Sequence, residues 1–300
     1  MTTPTEGVVK PLVIVGQTNT TADVVSSNLE ATFERGYTPL VEVKEYRGPV
    51  SIVGAGPSLS STYQDVVGDV VACNSAHDFL IEKGIIPKYA MVWDAHPIMG
   101  KIITKPHKDV TYLIASRCHP SVFAALEGHK VMVWHALGGD DGLERMLIKH
   151  NRMEPMIAGG SSSVTRATHV VGALGYTKEM HLFGVDSCYA EDKTHVGGSL
   201  IDQQKMAIRV CGRWFTVAPW MAMQAGDFKV LAPLLKANGM RLVVHGTGLI
   251  PYVATFLDVE APDVKVTWYE RVRREVHAAV LLFLEVRNSP QLLGGSHAGV

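Results

Sequence analysis

A short apolar run, Pro49-Val50-Ser51-Ile52-Val53, ends in Gly54-Ala55-Gly56 and continues into Pro57-Ser58-Leu59. The pattern is that of a buried strand turning sharply into a helix and leaving the helix N-terminus open. Such an end has unpaired N–H groups and roughly half a positive charge, which suits phosphate. Gly54 and Gly56 let the backbone turn and come close to a ligand. Pro57 suits the first helical position, where its missing N–H is not needed. Ser58 adds a hydroxyl donor. A strand–helix turn with no ligand would carry the same residues.

Around this loop, apolar runs rich in Val and Ile alternate with amphipathic segments. Strands are expected at 11–15, 39–43, 50–53, 69–73, 89–93, 111–115, 130–134, 156–158, 180–183 and 241–244, with a helix over 22–35. Several of these runs are continuously apolar, as in strands covered on both faces. The alternation predicts an α/β fold with a doubly wound, mostly parallel, Rossmann-like sheet and helices on both faces. Residues 1–47 read as a small βαβ-like extension, 48–256 as the main domain, and 257–300 as a C-terminal helical segment and tail. Within that last segment a helix is expected over 268–286, packing on the body or on another subunit of a homo-oligomer. The aromatic and Met spacing of 214–224 reads as a core helix or its entry.

In such a sheet, ligands sit beyond the carboxyl ends of the strands. Candidate site residues are therefore sought there. Asn74 ends the 69–73 strand, where a dinucleotide fold carries an acidic ribose partner. With Asn in that place and no third glycine, a nicotinamide dehydrogenase is disfavoured and another nucleotide is favoured. Asp94 and His96 follow the 89–93 strand. Asp94 is placed to hold Mg²⁺ beside phosphates, or to cap a helix; His96 is a substrate contact or a structural histidine.

A second turn, Gly159-Gly160-Ser161-Ser162-Ser163, precedes a helix over 164–174 that Gly175 stops. Its N–H groups again suit an anion, and Arg166 in the first turn could reach a phosphate or carboxylate. After the 180–183 strand comes Gly184-Val185-Asp186, then a polar loop to Gly197-Gly198 that could close over a site. Asp186 is a candidate catalytic residue, placed to bind metal or substrate. His195 is the general-base candidate, because imidazole titrates near neutral pH. A solvated surface loop is the alternative for His195. Arg117-Cys118-His119-Pro120, after the 111–115 strand, and His135, after the 130–134 strand, are weaker candidates for the crevice wall. The sequence has no Walker lysine, no G-x-S-x-G elbow and no H-E-x-x-H helix.

Composition narrows the partners. The formal net charge is −1 over 300 residues, which gives no bulk electrostatic reason to expect nucleic acid. Cys73, Cys118, Cys188 and Cys211 form no CxxC pair, so a reducing cytoplasm fits better than a disulfide scaffold or a zinc site. The first residues lack the basic start and apolar core of a secretory leader. The most apolar late stretch, 278–284, is too short to span a bilayer.

Four motifs occur in order: Ile52-Val53-Gly54-Ala55-Gly56-Pro57-Ser58-Leu59; Ala72-Cys73-Asn74; Gly84-Ile85-Ile86-Pro87 with Asp94; and Gly159 to Gly175-Tyr176 with Phe183-Gly184-Val185-Asp186. Together they resemble the archaeal 6-hydroxymethylpterin diphosphokinase-like family, which includes motility-associated factor proteins. The whole chain resembles most the uncharacterised phage and prophage members, which implies a host cytoplasm. The same loop is shared with bacterial sialyltransferases that use CMP-sialic acid.

For a diphosphokinase, the resemblance implies pyrophosphate transfer from ATP to a pterin hydroxymethyl group with Mg²⁺. Gly54, Gly56, Pro57, Ser58 and Asn74 would hold the nucleotide and Asp94 the metal. Gly160, Ser161 and Ser162 would hold a phosphate or substrate. For a sialyltransferase, the same loop and Asn74 would hold CMP and His195 would be the base. Those enzymes need no metal and carry a neutral residue in the place of Asp94. A third expectation is a non-catalytic nucleotide- or metabolite-binding protein.

Overall fold

Continuous apolar runs become central strands here because both faces of the sheet are covered. In the computed structural model, the described residues are 20–44, 47–138, 142–198, 205–268, 270 and 285–287. In chain order they form α1 (Ala22–Arg35), β1 (Val50–Val53), α2 (Leu59–Thr62), β2 (Asp69–Cys73), α3 (Ala76–Glu82), β3 (Tyr89–Val92) and β4 (Thr111–Ala115). Next come α4 (Pro120–Ala125), β5 (Lys130–Ala136), α5 (Leu143–Lys149), β6 (Met156–Ile157), α6 (Ser163–Ala173) and β7 (Glu179–Phe183). The remainder is β8 (Met206–Val210), β9 (Arg213–Val217), α7 (Pro219–Ala237), β10 (Arg241–Val244), α8 (Leu249–Ala254) and β11 (Glu285–Arg287).

Eight strands pair in the order β10-β7-β1-β2-β3-β4-β5-β6, and every pairing is parallel. The fold is a doubly wound α/β sheet, as the alternation predicts. From β1 the chain runs outward through β6, then returns to add β7 on the other side of β1. The crevice between β1 and β7 is therefore the topological switch point, where open α/β sheets bind ligands.

Period-two alternation sorts the core. Ile52, Val71 and Leu182 join the large cluster with α6 residues Val164, Ala167 and Val171. Val53, Val70, Ala72 and Phe183 join the smaller one with Leu59, Ala76 and Leu80.

Four expectations differ from the structure or fall outside it. The 39–43 segment is not a strand: Pro39 makes a single parallel bridge to Val133 of β5. Residues 214–217 belong to β9, and the helix starts only at Pro219. Residues 285–286, the end of the expected 268–286 helix, lie in β11, which pairs antiparallel with β8. The expected strand at 11–15 lies outside the described residues. An unexpected three-stranded antiparallel sheet, β11-β8-β9, completes the fold. Among the described residues, no helix is long and apolar enough to cross a membrane.

Candidate functional site

The first glycine loop is built by backbone packing on the loop after β7. The Gly54 N–H donates to Phe183 O and the Gly56 N–H to Gly184 O, both at 2.8 Å. A Cβ on Gly54 would lie 2.6 Å from Gly184 O, and one on Gly184 would strike Gly54 O. Gly184 also needs φ +57°. The glycines thus allow two strand-end loops to touch backbone to backbone. The helix that follows, α2, is a single turn, so few peptide dipoles add at its N-terminus.

Ser58 donates its N–H (3.0 Å) and its hydroxyl (2.9 Å) to one oxygen of Asp186. Gly248 adds a backbone hydrogen bond to the Asp186 side chain. The Asp186 carbonyl accepts from Leu249 N at 2.7 Å, at the start of α8. Asp186 is only 4% exposed. Burial raises its pKa, against the opposing pull of the Ser58 and Gly248 donors. This carboxylate therefore ties together the loops after β1, β7 and β10, and Ser58 is engaged with it.

The second glycine-serine turn repeats the arrangement. Ser161 donates its N–H (2.7 Å) and its hydroxyl (2.5 Å) to Asp227 Oδ2 on α7. Ser162 is the N-cap of α6, in a reciprocal capping box with Thr165. A Cβ on Gly160 would press on the Thr165 side chain. Asn74 stands at the end of β2 with φ +53°. Its amide donates to Ser163 Oγ at 2.8 Å, while its Oδ1 is buried with no partner. Asn74 therefore joins the ends of β2 and α6.

Arg166 is 6% exposed. Its guanidinium donates to Leu137 O, Ile157 O and Gly159 O at 3.2–3.3 Å. The expected substrate contact is thus held by backbone carbonyls. His96 caps a short 3₁₀ turn, accepting from Ile98 N at 3.1 Å, and Asp94 Oδ1 accepts from His96 N at 2.9 Å. Pro57 precedes α2, its carbonyl accepting from the Ser60 hydroxyl at 2.8 Å.

The loop after Asp186 is pinned to the first glycine loop, because Val196 N donates to Ala55 O at 2.9 Å. That brings the His195 segment to the crevice. His195 Nδ1 lies 2.8 Å from Thr194 Oγ1, and burial lowers its pKa. In the same segment, the buried Tyr189 hydroxyl has no partner.

Among the described residues, no group of three or more His, Cys, Asp or Glu side chains could hold a metal ion. This donor set does not make a protein-built metal cage. It is compatible with Mg²⁺ arriving on phosphates, which asks for only one or two carboxylates; at strand ends, Asp186 after β7 is engaged with Ser58 and Asp94 after β3 accepts from His96 N.

Trp93 and Asp227 carried no assigned role in the sequence. Trp93 closes an apolar run and reads as core. Asp227 sits inside a long helix, with no local signal that it would meet Ser161.

The sequence pattern of the family described as "MptE-like: 6-hydroxymethylpterin diphosphokinase MptE-like" matches residues 25–192. The chain belongs to this family. That membership supports a transferase-like function. No curated protein sequence matches the chain. Among solved structures, the MAf glycosyltransferase from Magnetospirillum magneticum AMB-1 superposes with a TM-score of 0.56 at 15% identity. The match covers 88% of this chain and 42% of that one, so this chain spans less than half of that protein. At this identity the likeness is one of fold.

Proposed function

We propose that the chain is a nucleotide-dependent transferase that seats its nucleotide across the C-terminal ends of β1, β2 and β7. The observation that carries this reading is Asn74. Its buried Oδ1 lacks a donor, at a strand end beside the switch point. Native proteins rarely leave such a group unpaired, and a ribose hydroxyl or a base N–H would satisfy it. The backbone at Gly54, Gly56 and Gly160 would face the phosphates. Ser58 and Ser161 serve by holding those loops on Asp186 and Asp227.

Family membership favours pyrophosphate transfer from ATP to a pterin hydroxymethyl group. The hydroxymethyl oxygen attacks the β-phosphorus. The bond from that phosphorus to the oxygen bridging to the α-phosphate breaks, and AMP leaves with that oxygen. The hydroxyl proton passes to a base. His195 suits that role: its lowered pKa keeps the ring neutral near pH 7. Mg²⁺ on the phosphates, with Asp94 as protein ligand, would offset their charge.

A second reading is glycosyl transfer from a CMP-sugar. His195 favours it too, since a neutral imidazole can equally deprotonate an acceptor attacking a sugar carbon. Thermal shift with ATP, CTP, CMP and UDP, each with and without Mg²⁺, separates the two. The expected result is Mg²⁺-dependent stabilisation by ATP, with AMP release when 6-hydroxymethylpterin is added. Metal-independent stabilisation by CMP would favour the second reading. Stabilisation without turnover would mark a binding protein. No shift with any nucleotide would overturn all three.

A further inference from the structure

A cavity of about 420 Å³ lies beside the start of β5, which β2, β3 and β4 separate from β1. Arg35, Gly36 and Tyr37 at the end of α1, Phe123 of α4, and Val131 and Val133 of β5 are among its lining residues. Ala115 stands opposite Trp134, and Ser116 N donates to Trp134 O at 2.8 Å. The even residues of β5 therefore turn their N–H and C=O to β4, and the odd ones turn theirs away. Val133 has both groups engaged: its N–H donates to Thr38 O at 2.8 Å, and its C=O accepts from Leu40 N at 2.7 Å. Two residues earlier that ladder stops, because the chain enters it from α1 through Gly36, at φ +73°. Among the described residues, no group pairs with the Val131 N–H or C=O. The His129 N–H, one step further back, donates to Leu126 O at 3.0 Å. The half-buried Val131 thus brings one donor and one acceptor, side by side, to the cavity. Buried main-chain groups are almost always paired, so this pair requires a partner.

An added peptide strand would need the neighbouring odd residues as well, and His129 and Val133 are both engaged. A ring with one acceptor beside one N–H donor needs a single residue, and nucleobases carry such an edge. The cavity falls within the range of small-molecule sites, about 300–1,000 Å³. Its wall is already stacked, with the Arg35 guanidinium 4.5 Å from the Phe123 ring centroid. Guanidinium and aromatic planes are the surfaces on which bases stack. We propose that this cavity is a second ligand site, for a nucleobase, in which Val131 pairs with the acceptor–donor edge of the ring and Arg35 on Phe123 forms the stacking wall. It lies at the amino end of β5, whereas the crevice lies at the carboxyl ends of β1, β2 and β7, so it stands apart from the transferase reading.

The test is a titration of the full chain, labelled with ¹⁵N-valine, with adenosine, which carries no phosphate. The Val131 amide resonance is assigned by its loss in Val131→Ile. A saturable shift of that resonance is expected. N⁶,N⁶-dimethyladenosine keeps the rings but has no donor for the Val131 C=O, and should bind about tenfold more weakly or worse. Arg35→Ala, at an exposed position, should weaken adenosine by about tenfold through the lost stacking wall. Asn74→Ala, in the crevice, should leave the Val131 titration unchanged. No saturable shift at Val131 would mean that solvent alone meets this edge, and overturns the proposal. So does equal affinity for the two nucleosides, or a Val131 shift that disappears in Asn74→Ala. Adenosine bound at Val131 with no nucleotide in the Asn74 crevice would leave this site standing while the transferase reading falls; the reverse would sink this site alone. The two nucleosides on the parent chain decide the matter even if a variant fails to fold.

Discussion

Ser58 gives both its N–H and its hydroxyl to the same oxygen of Asp186, at 3.0 and 2.9 Å, although the two residues are 128 positions apart. The carboxylate sits where the sequence leads one to expect a ligand's phosphate. Ser161 and Asp227 repeat the device in the second glycine-serine turn. In both cases a protein anion satisfies the exposed donors of a strand-to-helix turn and locks it to a distant element. The chemistry that makes such turns good phosphate sites also makes them good places to fasten a fold.

Asp186→Ala should destabilise the protein by about 2–4 kcal/mol, because the buried donors of Ser58 and Gly248 lose their acceptor. Asp186→Asn keeps an oxygen for Ser58 and should cost much less. The two also differ in pH dependence. The folded pKa of Asp186 is raised, so its contribution to stability is full below the unfolded value near 3.9 and is lost as pH rises through the folded value. Relative to Asp186→Asn, the parent chain should therefore lose stability as pH rises above about 4. Urea unfolding at several pH values measures this; a pH-independent difference would refute it.

Gly184→Ala should cost about 2–4 kcal/mol, combining a left-handed backbone with a clash against Gly54 O. Gly172, inside α6, has nothing within 4 Å of a modest added methyl and no positive φ. Gly172→Ala should instead stabilise by about 0.5–1 kcal/mol. Melting temperatures of the two variants check the contrast. Similar losses in both would mean that the glycines matter for chain flexibility and not for the loop contact.

Most of the large sheet was legible because doubly covered strands are written as uninterrupted apolar runs. The 50–53, 69–73, 111–115 and 241–244 segments are strands with those bounds. The β8–β9 hairpin was not legible. Its turn is Cys211-Gly212, with φ +46° and +97°, and Cys is no signal for a turn that needs two positive φ values. The Trp and Met spacing of 214–224 then imitated a helix across the end of β9. In the site, residues at strand ends could be found because the topology puts them there. Their partners could not: Asp227 lies 66 residues from Ser161, inside α7.

Ser161 and Asp227 should show unequal single-mutant effects. Ser161→Ala removes only the hydroxyl and leaves the backbone N–H on the carboxylate, for a loss of about 1 kcal/mol. Asp227→Ala removes the acceptor for both donors and should cost about 2 kcal/mol. A double-mutant cycle by urea unfolding should show that the two losses overlap. Fully additive losses would mean that the carboxylate stabilises the α6 turn by some other contact.

Stability should also fall in mild acid because of His135. This ring is 1% exposed. It lies 2.9 Å from Ser116 Oγ through Nδ1 and 3.3 Å from the Tyr37 hydroxyl through Nε2. Burial is the main cause that pushes its pKa down to about 4, with Arg152 adding to the effect and Glu154 opposing it. The unfolded chain binds a proton near pH 6.5 that the folded chain refuses until about pH 4. The contribution of His135 is therefore intact above pH 6.5 and is lost progressively as pH drops from 6.5 to 4. The loss amounts to about 3 kcal/mol. Burial lowers His77, His169, His195 and His245 as well, so they add slopes of the same sign. His135→Asn should flatten the profile by the His135 share alone. It will also lose stability at pH 7, because the ring stacks on Phe33, but that loss shifts the curve without changing its slope. Denaturant midpoints at pH 7, 6, 5 and 4 read the slope directly. An unchanged slope in His135→Asn would show that another group takes up the proton.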